Sequence, residues 1–368
     1  MKSVLIFEPH PYHYELLPSV VYGFELLGYQ ITVMTRTNCD YQDVFCRCNF
    51  KENINYLHYQ ADELESVLRD DQTAQYDYIF FTSLEFFHGE IKERLFDYLG
   101  YVPGARYGIL GIFHNMKLLS EDDIQFIKEG RLFGLSPYEF KGCRIPQFSP
   151  SYFGEITDSS FTSNQIKAVM AGGSNFRQMA EYSYSRLKAG ERKNFIIEDI
   201  GKRNMLYEIT NRIGHKLFCI AGILAKKTDV KHQVSITGWI MVKKKGYVNF
   251  SKLYHIVNDA DFILIGMDIR IPAYQDFLHG KTSGSKQLAL AFQKPCIIQK
   301  QFADAFGFDE TNSIIYEEKM ETALKRAASM SSEEYDKLQE GIRQLSQKTF
   351  DQSLHNLAEA VAGNRKYN

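Results

Sequence analysis

The sequence holds no run of about 18 apolar residues, so no segment reads as a membrane span and any membrane contact is expected to be peripheral. No leader is expected either: Met1-Lys2-Ser3 passes straight into the apolar Val4-Leu5-Ile6-Phe7, with no long apolar region and no small-residue cleavage site, which predicts a cytoplasmic protein. Cysteine is scarce. Of the six, only Cys46 and Cys48 lie close together, and their one-residue spacing suits neither a zinc knuckle nor a disulfide framework. There is no excess of basic charge, 43 Lys and Arg standing against 45 Asp and Glu, which argues against a nucleic-acid partner. The first strand is not followed by the glycines of a dinucleotide fingerprint, so a Rossmann dehydrogenase is disfavoured. No Asp-x-Asp cluster suited to a divalent ion is read, so metal-independent chemistry without a cofactor is expected. No repeat or low-complexity segment stands out.

What is present is abundant apolar and aromatic material. With 368 residues, 44% hydrophobic and 14% aromatic, the chain is too long for one ordinary core and rich enough for two. Strand and helix signals alternate, which predicts parallel, doubly wound α/β sheets. Strands are expected at Val4–Phe7, Ile31–Met34, Tyr56–Tyr59, Tyr78–Thr82 and Tyr107–Phe113, then at Ile166–Ala171, Lys216–Leu224, Gln233–Thr237, Phe262–Gly266 and Cys296–Gln299. Helices are expected between them, among them Tyr14–Leu27 closed by Gly28, Ile91–Leu99, Phe176–Lys188, Phe250–Asn258 and Met320–Ser329. Ser120 with Asp123, and Ser331 with Glu334, have the spacing of helix-opening caps. Phe350–Ala362 reads as a separate last helix with Leu354, Leu357 and Val361 on one stripe. Ser, Thr, Pro150 and Gly154 between Ser149 and Ser163 mark a linker. The Lys243-Lys244-Lys245 run reads as a solvated loop.

The densest chemical signal is Gly280-Lys281-Thr282-Ser283-Gly284-Ser285-Lys286 ahead of the helical run Gln287–Phe292. Small residues between a buried strand and a helix N-terminus aim backbone N–H groups and the positive helix end at one spot, where a diphosphate would bind. Lys286 adds positive charge for a departing group. The same serines also serve simply as helix caps, and both readings stand. Asp268, after the strand ending near Met267, is placed to accept from a sugar or ribose hydroxyl. Gly238, between Thr237 and Trp239, is placed to meet a nucleotide base. Arg177 suits a phosphate or, equally, a surface ion pair.

Together with Lys294-Pro295 and the segment Asn312–Tyr316, this turn and helix resemble the donor half of bacterial GT-B glycosyltransferases. Tyr12-His13-Tyr14-Glu15-Leu16-Leu17-Pro18 with Phe24–Tyr29 is similar to the opening unit of surface-polysaccharide members of that group. The resemblance implies two doubly wound Rossmann-like domains facing a central cleft: residues 1–155 for the acceptor, 164–348 for the nucleotide-sugar, and a C-terminal helix, 349–368, crossing back to the first. It implies transfer of a sugar from a nucleotide-sugar to a hydroxyl of a glycan or lipid-linked glycan, near the inner face of a membrane. His13 would be the general base, with Glu15 as orienting or alternative base, unless both only cap the first helix. His114 would touch the transferred sugar or its phosphate, or be a packing histidine. Phe86 and Phe87 lie on the same rim, either for sugar or lipid contact or in the core. One departure is clear. Two glutamates eight positions apart in many retaining members fall here on Gly280 and Leu288. A nucleotide-sugar epimerase and a catalytically silent GT-B partner are the alternative readings.

Overall fold

In the computed structural model, residues 2–11, 13–51, 54–69, 75–87, 108–156, 161, 166–171, 183, 186–187, 195–200, 242–246 and 248–363 are described. The chain divides into two compact units. Met1–Glu155, Asp276–Thr282 and Ser346–Asn368 form the first, and Ile156–Gln275 with Ser283–Leu345 form the second.

The first unit begins with β1 (Ser3–Glu8), whose residues from Val4 onward are all buried, as expected of a strand covered on both faces. The chain leaves β1 through a single 3-10 turn, Tyr14–Leu16, into α1 (Leu17–Leu26). Pro18 suits the first turn of this helix because its missing N–H would have no partner there. Gly28, at φ 76°, supplies the left-handed residue that ends it. After β2 (Gln30–Arg36) and α2 (Tyr41–Val44) come β3 (Asn55–Tyr59), α3 (Leu64–Arg69) and β4 (Tyr78–Phe81). Then follow β5 (Gly108–Phe113), α4 (Ile124–Lys128), β6 (Leu132–Gly134) and a hairpin of β7 (Tyr138–Phe140) and β8 (Cys143–Ile145). The main sheet is parallel with order β3-β2-β1-β4-β5-β6, so the winding reverses between β1 and β4. Ligands of doubly wound sheets sit outside the carboxyl ends of the strands at such a reversal.

The second unit repeats the plan. β9 (Ile166–Ala171), β10 (Phe195–Ile200) and β11 (Val242–Gly246) precede α5 (Phe250–Asn258), which Asn249 caps by accepting from the Lys252 N–H. β12 (Phe262–Ile265), α6 (Gly284–Ala291), β13 (Cys296–Gln299), α7 (Lys300–Phe306), β14 (Ser313–Tyr316) and α8 (Met320–Ala328) complete it. The sheet order β11-β10-β9-β12-β13-β14 has its reversal between β9 and β12. Residues 201–241, which include the expected strands Lys216–Leu224 and Gln233–Thr237, lie outside the described residues, as do the expected helix Ile91–Leu99 and most of Phe176–Lys188.

Two expectations are corrected. Lys243-Lys244-Lys245 is not a loop but part of β11, the outermost strand of its sheet among the described residues. Phe350–Ala362 is not a separate helix: α9 runs unbroken from Ser332 to Ala362, opened by the reciprocal hydrogen bonds of Ser331 and Glu334. No proline or left-handed glycine falls inside that stretch to stop it. Ser149 and Ser151, at the start of the stretch read as a linker, are buried, and the two units divide at Glu155 and Ile156.

α9 serves both units in turn. Its first half buries Tyr335, Leu338 and Ile342, and Gly341 is required because a Cβ there would stand 2.0 Å from the Thr311 carbonyl oxygen. Beyond Ser346 it belongs to the first unit, where Leu357 packs over Gly23 and Asn356 donates to the Gln147 carbonyl at 2.7 Å. Ser353 Oγ accepts the buried Ser149 N–H at 3.0 Å. Ser353→Ala is therefore expected to cost about 1–2 kcal/mol in denaturant unfolding, because it orphans that N–H. An unchanged midpoint would show that this helix end does not hold the unit.

Candidate active site

At the carboxyl edge of the first sheet, β1 ends in Glu8, which is fully buried. Its Oε2 accepts from Thr82 Oγ1 at 2.5 Å and Ser83 Oγ at 2.8 Å, the residues just past β4, and its Oε1 accepts the His10 N–H at 2.5 Å. Burial raises the Glu8 carboxyl to about 7, against the opposing pull of the His13 charge and these hydrogen bonds. A carboxyl in this state gains or loses its proton near neutrality.

His13 stands at the start of the 3-10 turn without capping it; its Nδ1 instead faces Glu15 Oε1 at 3.3 Å. Burial disfavours its charge, but the Glu15 bond and the negative charges of Glu15, Glu8 and Glu85 outweigh this and hold the imidazole near 9. The capping alternative for His13 is thereby set aside. His114 follows β5, and its ring centroid lies 4.5 Å from that of His13. Its Nε2 lies 2.7 Å from the Thr82 carbonyl oxygen, which can only accept, so Nε2 carries the hydrogen and Nδ1 is a bare lone pair. Burial, and then the nearby His13 charge, push His114 down to about 3, so it stays neutral. Glu85 completes the group. Its Oε2 accepts the His114 N–H at 3.2 Å, its Oε1 lies 3.6 Å from His114 Nδ1, and burial raises it to about 7.

Three strand ends of one sheet thus bring together His13, Glu15 and His114, all named from the sequence as site residues, with Glu8 at the end of β1 and with Thr82, Ser83 and Glu85 past β4, which were not singled out there for the site. Ligand residues of such sheets lie past the carboxyl ends of the strands, and looking just past β4 would have found these three, as His114 lies just past β5. Phe86 and Phe87 are core residues, 5% and 0% exposed, so of the two readings offered for them the core one holds.

In the second unit, Ser283 caps α6 by accepting the Ser285 N–H at 3.2 Å. Ser285 Oγ donates to the Ala171 carbonyl at the end of β9, which fixes the helix N-terminus at the carboxyl edge of the sheet, beside the reversal. Gly284 is exposed, and a Cβ on it would meet nothing within 4 Å. Lys286 is 2% exposed, with Nζ 5.3 Å from the centre of the Phe306 ring, and burial lowers its amine to about 8. Thr282 closes the segment counted with the first unit. Asp268 lies at the carboxyl edge too, but Arg270 grips its carboxylate through Nε and a second guanidinium nitrogen at 2.6–3.1 Å and keeps it below the ordinary carboxylate range. Its lone pairs are shared with that guanidinium before any hydroxyl arrives. Arg177 and Gly238 lie outside the described residues.

The two positions aligned with the expected glutamates are now explained in part. Gly280 has φ 87°, and a Cβ there would come within 2.3 Å of the Tyr138 ring, so no carboxylate fits. Leu288 is buried in α6. Asp259-Ala260-Asp261 does have Asp-x-Asp spacing, but it precedes β12, at the amino end of the strand, away from the ligand edge. Asp261 there accepts the Lys167 N–H at 2.7 Å.

No family model and no curated protein sequence matches the chain. Among solved structures it is similar to a glycosyltransferase from Rickettsia africae, at 12% identity and a TM-score of 0.60 over 99% of each chain. It is also similar to Anabaena HepE in complex with UDP, at 11% identity and 0.56 over 98% of this chain and all of that one. HepE in complex with UDP and glucose aligns at 12% and 0.55 over the same shares. The chain has the GT-B fold of these structures, with its two Rossmann-like units.

Proposed function

We propose that the chain transfers a sugar from a nucleotide-sugar to a hydroxyl of a glycan or lipid-linked glycan. The observation that carries this reading is the His13–Glu15–Glu85–His114 group at the reversal of the first sheet, an acid–base set where that fold presents a ligand. The acceptor hydroxyl lies against His13, whose neutral form takes the proton while Glu15 orients the ring. His114 offers a fixed neutral edge to the sugar. The second unit holds the diphosphate at the N-terminus of α6, and that helix end with Lys286 offsets the charge of the leaving group, so transfer proceeds without a divalent ion there. The UDP and glucose bound by HepE on the same fold support this class of donor. A hexose is the sugar we favour, and peripheral contact with a membrane carrying the acceptor fits the absence, among the described residues, of any helix able to cross one.

A second reading has its own observation. Two carboxyls near neutrality beside two histidines are also what epimerisation of a bound nucleotide-sugar requires. Turnover of a nucleotide-sugar with no acceptor present would favour it.

The donor half is tested by Gly284→Val. Gly284 has ordinary φ and open space around it, so the variant should fold, while its side chain crowds the anion position. Nucleoside diphosphate affinity is expected to fall about tenfold to a hundredfold in calorimetry, as for lost charge-assisted hydrogen bonds. Equal affinity in the folded variant would remove the diphosphate from α6. A screen of nucleotide-sugars by thermal shift identifies the donor, since ligand at about a hundred times its Kd stabilises by about 2.7 kcal/mol.

A further inference from the structure

His13, Glu85 and His114 each offer a donor atom, and these atoms lie within 4.8 Å of one another. We propose that they form a binding site for one transition-metal ion of the Zn2+ class, held by His13 Nε2, His114 Nδ1 and a Glu85 carboxylate oxygen.

Proximity alone would be weak; the tautomers make the case. His114 donates Nε2–H to the Thr82 carbonyl at 2.7 Å, which turns the Nδ1 lone pair toward Glu85, 3.6 Å away. A lone pair facing a carboxylate oxygen at that separation calls for a cation or a proton between them. His13 spends Nδ1 on Glu15 at 3.3 Å, which leaves Nε2 as its ligand nitrogen. Metal-bound histidines regularly give their other ring nitrogen to a backbone carbonyl or a carboxylate, because that partner fixes the tautomer and strengthens the ligand. Here one histidine has each kind of partner.

Two imidazoles and one carboxylate are a borderline donor set that suits zinc, cobalt or ferrous iron over magnesium or calcium. Tetrahedral bonds of about 2.0–2.1 Å place donors about 3.4 Å apart. The Glu85–His114 pair, at 3.6 Å, is already close to that, and since no separation in the group exceeds 4.8 Å none needs to shorten by more than about 1.4 Å. Three protein ligands leave a fourth position for water or a hydroxyl. The ion would occupy the His13 lone pair that receives the acceptor proton, so the metal-loaded protein cannot use His13 as a base. This consequence, unlike the binding, rests on the transfer reading.

The test titrates Zn2+ into the full chain against a chromogenic chelator and follows Co2+ loading by its visible absorption. One ion per chain is expected, with the intense bands of four-coordinate cobalt. Glu85→Gln and His114→Gln should each weaken binding by at least about a hundredfold, beyond the 10–100-fold expected for Glu15→Gln, which removes only an outer partner. Zn2+ at saturating level should inhibit transfer. The absence of saturable binding overturns the site, as does affinity unchanged in whichever of the two ligand variants remains folded. Binding that behaves as stated in a protein without transferase activity would sustain the site and sink the transfer reading instead.

Discussion

His13→Ala is expected to lower turnover by about 10²–10⁴-fold, the usual worth of a positioned proton acceptor, while donor affinity changes little if, as proposed, the second unit holds the donor. Glu15→Gln keeps a hydrogen-bonding partner for Nδ1 and removes only charge, so it should cost less. The reverse order would make Glu15 the base. Small, equal losses in both would mean that the turn shapes the acceptor site without touching the proton. If His13→Ala abolished nucleotide binding in a folded protein, the division of labour between the units would be wrong.

Lys286→Met should separate stability from donor binding. Burial holds the amine near 8 in the folded chain against an ordinary value of 10.5, so between those limits the unfolded chain binds more protons. Stability of the native protein should therefore rise as pH climbs from 8 to 10.5, and below 8 the full penalty for the buried charge remains. Replacing Lys286 by Met removes that penalty, and at pH 7 the variant is expected to be more stable by about 2–3 kcal/mol, with the rise above pH 8 abolished. Nucleoside diphosphate affinity should fall about tenfold to a hundredfold at the same time. In the native protein a bound diphosphate would draw the amine back to its charged form, so binding near pH 8.5 should take up a proton. Calorimetry in buffers of different ionisation enthalpy measures that uptake. A variant that is more stable but binds nucleotide unchanged would reduce Lys286 to a buried charge resting against Phe306.

The fold was legible because its strands announce themselves. Val4–Phe7, Phe262–Ile265 and Cys296–Ile298 are apolar without interruption, as strands covered on both faces must be, and Gly28 and the Ser331–Glu334 cap punctuate the helices between them. What misled was local chemistry overruled by pairing. Three consecutive lysines look solvated wherever they stand, and only the neighbouring β10 makes them a strand. The break expected before Phe350 came from reading a second apolar stripe as a second helix, whereas one helix of 31 residues shows one stripe to each unit.

The site was legible one strand end at a time. His13 and His114 stand 101 positions apart in sequence, and the strand-end rule selects both, but nothing in the sequence says that their rings lie 4.5 Å apart. Glu85 was missed because Phe86-Phe87 beside it drew the eye as aromatics, although it is the glutamate that faces His114 and the rings that fill the core. The burial that gives Lys286 and Glu8 their shifted proton affinities depends on tertiary packing, which no local pattern carries.

The most direct test of sugar transfer is release of nucleoside diphosphate, measured across a panel of nucleotide-sugars with and without hydroxyl-bearing glycan and lipid-linked glycan acceptors. The account predicts release that requires an acceptor, matches the glycosylated product mole for mole and falls with His13→Ala. A donor that binds at the second unit yet is neither cleaved nor transferred with any acceptor, or is converted to an isomer with none, would contradict it.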